Sequence, residues 1–338
     1  MEKNHIDDSA LVSVIIVNFN GKPYLEKCLD SLSKINYSNM EIILVDNNST
    51  DGSIEFLESN YPEIKIKKLE KNYGFAYPSN LGAKMASGDF LLFLNNDTIV
   101  TKDFITELIT IIEKDEKIAI CQSLLLNPDG KIDSSGDFID HLGVVYNSKV
   151  VTDKVREISS ARGASMLIRK NVFDELEGFD EKFFVSFEDV DIGWRAWIKG
   201  YKVVLAPKSI VYHMGGKTIE KIKSEIAFHG YKNQLSMKIT NFEPRLAIKK
   251  ILLFFTMYGI HELKIWLDYT FKGTTSKSST IYEQNIAQKP PFKVIFKSIC
   301  WIIKNSSYLY KKQNHVNSSR ILSTNDLEKM GIISNFKQ

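Results

Sequence analysis

The chain has 338 residues, of which 43% are hydrophobic and 25% charged, and its net charge is +3. These values are typical of a globular protein with one large or two smaller domains, and they exclude a disordered chain. Its cysteines, Cys28, Cys121 and Cys300, are far apart and form no CxxC pair, which disfavours a disulfide scaffold and a structural zinc site.

Neither a signal peptide nor a membrane-spanning helix is predicted. Residues 1–10 are charged and contain no apolar segment, unlike a secretory leader. The longest apolar run, residues 251–260, is shorter than the roughly 20 residues that a spanning helix needs. We therefore expect a cytoplasmic protein.

The first 115 residues alternate four times between strand and helix. Continuous apolar runs predict strands, and apolar residues at helical spacing predict the helices between them. The predicted strands are residues 13–19, 41–45, 64–69 and 90–94. The first predicted helix starts near Pro23, and the other three cover residues 51–61, 79–86 and 104–113. Strands joined by helical crossovers predict an α/β fold with a Rossmann-like, mostly parallel sheet flanked by helices.

The rest of the chain is less regular. Turn residues at 127–130 interrupt the segment 118–213, which is predicted to hold a strand up to Arg169, a helix at 188–199 and two short strands at 202–206 and 210–213. Composition changes near residue 243, because residues 244–312 contain 12 Lys and Arg against 3 Asp and Glu. We therefore predict a catalytic domain at 10–242 and a helical, basic and aromatic region at 243–338.

Polar clusters follow three of the predicted strands, at residues 18–21, 46–51 and 95–97. Each cluster alone is compatible with ordinary turn chemistry. In a parallel sheet, however, ligands bind beyond the carboxyl ends of the strands. The three clusters together predict one binding site at that edge.

Two segments carry acidic side chains suited to chemistry. Asp97, at a strand end, could hold a hard divalent cation together with substrate phosphates, or it could cap the next segment. Glu188, Asp189 and Asp191 crowd three carboxylates into four residues. Asp189 could act as a general base, whereas the alternative is a charged first turn of a solvated helix.

His213 and the segment 72–76 are weaker candidates. His213 follows an apolar strand and could be a metal ligand or a structural side chain. Gly74, with Asn80 after it, could contact a nucleotide or sugar or belong to an ordinary loop. The chain has neither the GxGxxG motif of a dinucleotide site nor a P-loop.

Together these segments resemble glycosyltransferase family 2, inverting enzymes with the GT-A nucleotide-diphospho-sugar transferase fold, and in particular its rhamnosyltransferase-like branch. The matching segments are VSVIIVNFNG at 12–21, VDNNSTDGS at 45–53, NYGFAYPSNLG at 72–82, LNNDT at 94–98, RGASMLIR at 162–169, GFDEKFF at 178–184, FEDVDIGWR at 187–195 and YHMGG at 212–216. They occur in the order of the family and cover roughly residues 12–240.

The resemblance implies a role for each candidate residue. Asp189 is the implied general base, with Glu188 beside it, and Asp97 and His213 are the implied ligands of a divalent cation, Mn²⁺ or Mg²⁺. Asn95 stands where a strict DxD motif has its first aspartate. The implied contacts of the nucleotide sugar are Asn18, Asn20, Asp46, Asn48, Gly74, Asn80, Asn95 and Asn96, and those of the acceptor are Arg162, Gly163, Trp194 and Arg195.

The expected activity is transfer of a sugar, rhamnose or another hexose, from a UDP- or dTDP-linked donor to a hydroxyl of a glycan or lipid-linked glycan. The alternatives are a sugar nucleotidyltransferase and a non-catalytic glycan-binding protein on the same fold. The basic and aromatic C-terminal region could lie on the inner membrane surface or pack on the core. No nucleic-acid-binding module is recognised, and a homo-oligomer is compatible with the sequence.

Overall fold

The structure, a computed structural model, describes residues 10–215, 223–256 and 292–334. Its first elements are β1 (Val12–Asn18), α1 (Lys22–Leu32), β2 (Met40–Asp46), α2 (Ser53–Asn60), β3 (Lys65–Lys68), α3 (Ala76–Met85), β4 (Phe90–Asn95), β5 (Thr98–Val100) and α4 (Phe104–Ile112). The predicted fourfold alternation of strand and helix is confirmed.

A second group of strands completes the sheet. These elements are β6 (Ile118–Leu126), β7 (Ile132–Ser134), β8 (Asp137–Ile139), β9 (Val145–Asn147), β10 (Arg156–Glu157), β11 (Ser165–Arg169), α5 (Lys170–Glu175), α6 (Glu188–Ile198) and β12 (Lys202–His213), with a 3-10 turn at Glu181–Phe183. The helices that follow are α7 (Lys223–Asn241), α8 (244–256), α9 (Phe292–Lys304), α10 (Ser306–Ser318) and α11 (Thr324–Lys329).

The main sheet has the order β10-β12-β6-β11-β4-β1-β2-β3. Strands β1 to β4 are parallel to their neighbours within that group. Strands β1, β2 and β4 are mainly apolar because helices cover both faces of the sheet, whereas the edge strand β3 is rich in lysine. Strand β11 lies antiparallel between β4 and β6. The carboxyl ends of β1, β2 and β4 therefore meet at one edge, as the sequence predicts.

Two features of the second half differ from the expectations. The irregular segment begins with β6, a nine-residue strand inside the sheet. The two short strands predicted at 202–206 and 210–213 are one strand, β12, whose register against β6 shifts between Ala206 and Ile210. Pro207 lies within that shift, and a proline has no N–H to donate to a neighbouring strand.

The C-terminal helices pack on the domain that precedes them. Val316, Leu327 and Ile333 belong to the same hydrophobic core as residues of β1 and β11. Lys312 also contacts Asp180 at 2.5 Å and Asp191 at 3.1 Å. The predicted boundary at residue 243 therefore does not separate two cores. The parts of the predicted C-terminal region at 257–291 and 335–338 lie outside the described residues.

Candidate active site

The turn after β4 meets the end of β12. Strand β5 pairs antiparallel with β12, with Thr98 opposite His213, so the preceding residue, Asp97, lies next to the histidine. His213 Nε2 is 3.4 Å from Asp97 Oδ1 and 3.4 Å from the Asn95 side-chain nitrogen. The structure thus brings the two predicted metal ligands side by side.

Asp133 is a site residue that the sequence analysis missed. Its Oδ2 lies 2.9 Å from His213 Nδ1, although the two residues are 80 positions apart. Burial disfavours the charged imidazole, but hydrogen bonds to Asp133 and Asp97 outweigh it and raise the pKa of His213 to about 9. The hydrogen bond from His213 in turn lowers the pKa of Asp133. His213 is therefore bracketed by two carboxylates.

The predicted base, Asp189, is the second residue of α6. Its Oδ2 accepts a hydrogen bond of 3.0 Å from the backbone N–H of Gly163. The N-terminal end of a helix also favours negative charge. Residue 163 lies just before β11, and Asn95 N donates to Ala164 O at 3.1 Å. The pairing of β4 with β11 therefore brings the base towards the predicted metal ligands.

Arg162 lies between the His213 group and the predicted base, Asp189, and interacts with carboxylates of both. Its Nε donates to Asp137 Oδ1 at 3.1 Å. Burial opposes its charge, but the charges of Asp137, Asp189 and Asp133 raise its pKa. Asp137 is 3% exposed, and burial raises the pKa of its carboxyl to about 6 against the effect of Arg162. We call these residues the central cluster: Asp97, Asp133, Asp137, Arg162, Asp189 and His213.

The three polar strand ends form one hydrogen-bonded network beside the central cluster. Asn18 donates to Asp46 at 2.9 Å and accepts from Asn96 at 2.8 Å. Asn20 accepts from the backbone N–H of Thr50 at 2.8 Å. Asn18 and Asp46 are both buried, so they shape the loops of this edge. The donor-binding roles of the residues at this edge stay predictions.

Several loop residues near the carboxyl ends of the strands have a left-handed backbone conformation. Asn20 and Asn48 have positive φ angles of 51° and 68°, which asparagine tolerates better than most residues. Gly74 has a φ of +82°, and a Cβ there would lie 2.1 Å from the carbonyl oxygen of Phe184. Only glycine fits at position 74, which packs against the loop that precedes α6.

Helix α7 holds the loop in front of the base. Phe184, Ser186 and Phe187 have positive φ angles of 50°, 72° and 69°, a conformation that costs on the order of 1–3 kcal/mol for each non-glycine residue. The buried Asn233 side chain donates to three carbonyls of this loop, those of Phe183, Val185 and Ser186, at 2.7–3.0 Å. The sequence carried no signal for this role.

Two of the predicted acceptor contacts are buried inside the domain. Trp194 is 1% exposed and packs edge-on against Phe242 in the core. Arg195 is buried, donates to Asp191 at 2.8 Å and to the Gly178 carbonyl at 2.8 Å, and forms an ion pair inside the domain. Neither side chain faces the central cluster.

Two other predicted site residues make contacts within the protein. Asn80 uses both ends of its amide on the backbone of Phe179, donating at 2.8 Å and accepting at 2.9 Å, so it fixes that loop. Glu188 is buried, and burial together with the charge of Asp189 raises its pKa well above the usual range. Glu188 is therefore the buried member of the pair, and Asp189 is the member that contacts Gly163.

The ligating side chains suit a divalent cation whose coordination is completed by a substrate. In the described ranges, no three His, Cys, Asp or Glu side chains are arranged as a ready metal cage. Asp97 and His213 offer one carboxylate and one imidazole, and diphosphate oxygens commonly supply the remaining ligands of such a site. The residues present therefore fit a cation that binds together with a nucleoside diphosphate.

A separate cavity of about 510 Å³ lies beside α10 and is lined by Asn80, Asp180, Arg195, Tyr308 and Lys312 among others. No member of the central cluster lines it.

In the described ranges, none of the helices combines the length and the apolar composition that a membrane crossing requires.

Comparison with known proteins finds one family match and several similar proteins. Residues 13–177 match the family described as "Glycosyl transferase family 2". The chain is 33% identical over 216 residues to the O-antigen biosynthesis protein RfbC of Myxococcus xanthus, a match that covers 59% of this chain and 17% of that protein. Over 249 residues it is 24% identical to the N-acetylglucosaminyl-diphospho-decaprenol L-rhamnosyltransferase of Mycobacterium tuberculosis, covering 65% of this chain and 81% of that protein.

Solved structures agree on the fold. The crystal structure of GalNAc-T7 with UDP, GalNAc and Mn²⁺ superposes with a TM-score of 0.57 at 18% identity and covers 88% of this chain and 58% of that one. The sheet order and these matches together identify the GT-A fold. Residues 13–177, about half of the chain, are therefore similar to the glycosyl transferase family 2 domain.

Proposed function

We propose that the protein transfers a sugar from a nucleoside-diphosphate donor to a hydroxyl of a glycan or lipid-linked glycan, with inversion at the anomeric carbon. The observation that carries the proposal is the central cluster, in which a carboxylate–imidazole pair and a second carboxylate meet around Arg162. The pair suits the diphosphate of the donor, and the second carboxylate suits the acceptor.

Each residue has a chemical task in this reaction. Asp97 and His213 would hold a divalent cation, which when bound neutralises the charge that develops on the departing diphosphate. Asp189 takes the proton from the acceptor hydroxyl, because an alcohol is a poor nucleophile until a base removes it. The N–H of Gly163 holds one oxygen of that carboxylate. With base and leaving group on opposite faces of the sugar, a single displacement inverts the anomeric centre.

The named relatives support a substrate class. RfbC is an O-antigen biosynthesis protein, and the mycobacterial relative transfers rhamnose to a lipid-linked acceptor. Because the match covers 17% of RfbC, its whole-protein role does not extend to this chain. We propose a UDP- or dTDP-linked hexose, rhamnose included, as the donor and a cell-surface polysaccharide precursor as the acceptor.

A donor panel tests this function. The purified chain is incubated with UDP- and dTDP-linked hexoses, with and without Mn²⁺, and release of the nucleoside diphosphate is measured. We expect one donor to be turned over above the uncatalysed rate and to raise the melting temperature, more strongly with Mn²⁺. Absence of turnover with every donor, together with binding of a free glycan, would favour the non-catalytic alternative.

We also propose that helix α9 of the C-terminal region docks on an anionic membrane surface. The inner face of α9 packs on α7, whereas its outer face exposes Phe296 by 60% and Ile303 by 68%. Lys293, Lys297 and Lys304 are exposed on the same helix. An amphipathic helix with apolar residues beside lysines matches the boundary of an anionic bilayer, where each lysine contributes about 1 kcal/mol.

Vesicle flotation tests the docking surface. The full chain should float with vesicles of phosphatidylglycerol and phosphatidylethanolamine, less so at high salt, and should not float with phosphatidylcholine alone. Replacing Phe296 and Ile303 with serine should weaken binding about tenfold or more, because two apolar side chains no longer enter the bilayer. The matched control replaces Tyr310 and Ile321, which are also exposed. Equal flotation of both variants would remove the membrane proposal.

A further inference from the structure

We propose that Asp133 is a positioning residue of the cation site: it fixes the ring orientation and tautomer of His213 so that Nε2 faces Asp97. The inference rests on the proposed function, because it concerns the cation that would bind with the donor diphosphate. It assigns a role to a residue that neither the motifs nor the sequence periodicity singled out.

The two ring nitrogens of His213 face different carboxylates. Nδ1 lies 2.9 Å from Asp133 Oδ2, a hydrogen-bonding distance, and Nε2 lies 3.4 Å from Asp97 Oδ1. A carboxylate can only accept, so the Nδ1 proton is donated to Asp133. The lone pair of a neutral imidazole then remains on Nε2, on the side of Asp97. Carboxylate–histidine pairs of this kind commonly orient metal-ligating histidines.

The strand pairing explains why Asp133 is in place. Strand β6 pairs with β7 on one side and with β12 on the other, and Leu126 is opposite both Ile132 and Tyr212. The next residues along those strands are Asp133 and His213. The Asp133 carbonyl also accepts a hydrogen bond of 2.7 Å from the Asn147 side chain, which ties β7 to β9. The backbone of Asp133 is therefore held by the pairing of β7 with β6 and by the Asn147 side chain.

The same geometry separates Asp133 from the cation ligands. Its Oδ2 is engaged with Nδ1, whereas Asp97 lies at Nε2. The ring of His213 thus stands between the two carboxylates. Arg162 interacts electrostatically with Asp133, which balances the negative charge that this arrangement adds to the central cluster. Asp133 therefore acts through the histidine and not on the cation directly.

The test measures Mn²⁺ binding, which does not depend on turnover. Free Mn²⁺ is followed by electron paramagnetic resonance during titration of the full chain with UDP as the probe nucleotide. Asp133→Ala should raise the Mn²⁺ Kd about 10–100-fold. Asp133→Asn should recover part of that loss, because an amide oxygen can still accept from Nδ1. In ¹H–¹⁵N spectra recorded with saturating Mg²⁺ and UDP, His213 should be protonated at Nδ1 alone in the parent chain and should show mixed tautomers in Asp133→Ala.

Controls distinguish this inference from the proposed function. Asp129→Ala removes an exposed carboxylate from the turn between β6 and β7, where it pairs with Lys131, and should leave the Kd unchanged. If Asp97→Ala weakens Mn²⁺ binding but Asp133→Ala and Asp133→Asn do not, the positioning role is wrong and the cation site stands. If Asp97→Ala also has no effect, the cation site itself fails. Melting temperatures establish that each variant is folded.

Discussion

Asp189→Asn is expected to slow sugar transfer by about 10²–10⁴-fold, which corresponds to ~2.7–5.5 kcal/mol of lost transition-state stabilisation. The amide keeps the shape of the side chain and can still accept the hydrogen bond from Gly163, but it cannot take a proton from the acceptor. Donor affinity should stay within about twofold, because the base contacts the acceptor and not the diphosphate. Single-turnover rates and donor binding by calorimetry measure the two effects separately.

Glu188→Gln is the matched control for that substitution. It changes the neighbouring carboxylate, which is buried and whose pKa burial and Asp189 raise. Because Glu188 is not the proposed base and the amide has nearly the same shape, this substitution should change the rate far less than Asp189→Asn does. Full activity of Asp189→Asn, or equal losses in both variants, would show that the base has been assigned to the wrong carboxylate.

Asp97→Ala should weaken Mn²⁺-dependent donor binding by about 100-fold, or ~2.7 kcal/mol, and reduce transfer at least as much. The substitution removes the carboxylate that faces His213 Nε2 at 3.4 Å. Asp103→Ala, an exposed carboxylate that accepts from Asn36, should have no effect. Titration of donor in the presence and absence of Mn²⁺ measures the coupling, and an unchanged coupling in Asp97→Ala would contradict the assignment.

Asn95 should also affect how tightly the proposed cation site binds Mn²⁺. An amide is a neutral and weaker ligand than the carboxylate of a strict DxD motif. Asn95 also lies 3.4 Å from His213 Nε2, so Asn95→Asp places a second negative charge next to the proposed cation. We expect this substitution to tighten Mn²⁺ binding in the same titration.

The elements that the sequence predicted well are those with a local signal. The continuous apolar runs of β1, β2 and β4 indicate buried strands without any tertiary information. Because these strands are parallel, the polar residues that follow them lie at the same edge of the sheet. The sequence predicted two strands in place of β12, because Pro207 interrupts the apolar pattern. The pairing of β12 with β6 on both sides of Pro207 depends on tertiary structure and leaves no local signal in the sequence. Asp133 lies within turn-rich sequence, and only the two pairings of β6 bring it to His213.

The burial of Trp194 and Arg195 on α6 has a geometric cause. Trp194 and Arg195 belong to the same motif as Asp189, and adjacency in sequence suggested a shared surface. In a helix, however, residues five and six positions after Asp189 are rotated by about 140° and 240°. They therefore point away from the base, Trp194 into the core and Arg195 into a buried ion pair with Asp191. The position of each residue around the helix axis decides its role.

Anomalous diffraction from a crystal of the chain with Mn²⁺ and a non-hydrolysable nucleotide sugar tests the central claim most directly. We expect one manganese peak beside Asp97, His213 and the diphosphate, with the Asp189 carboxylate on the opposite side of the sugar. A diphosphate bound away from Asp97 and His213, or Asp189 on the same face of the sugar as the leaving group, would contradict it.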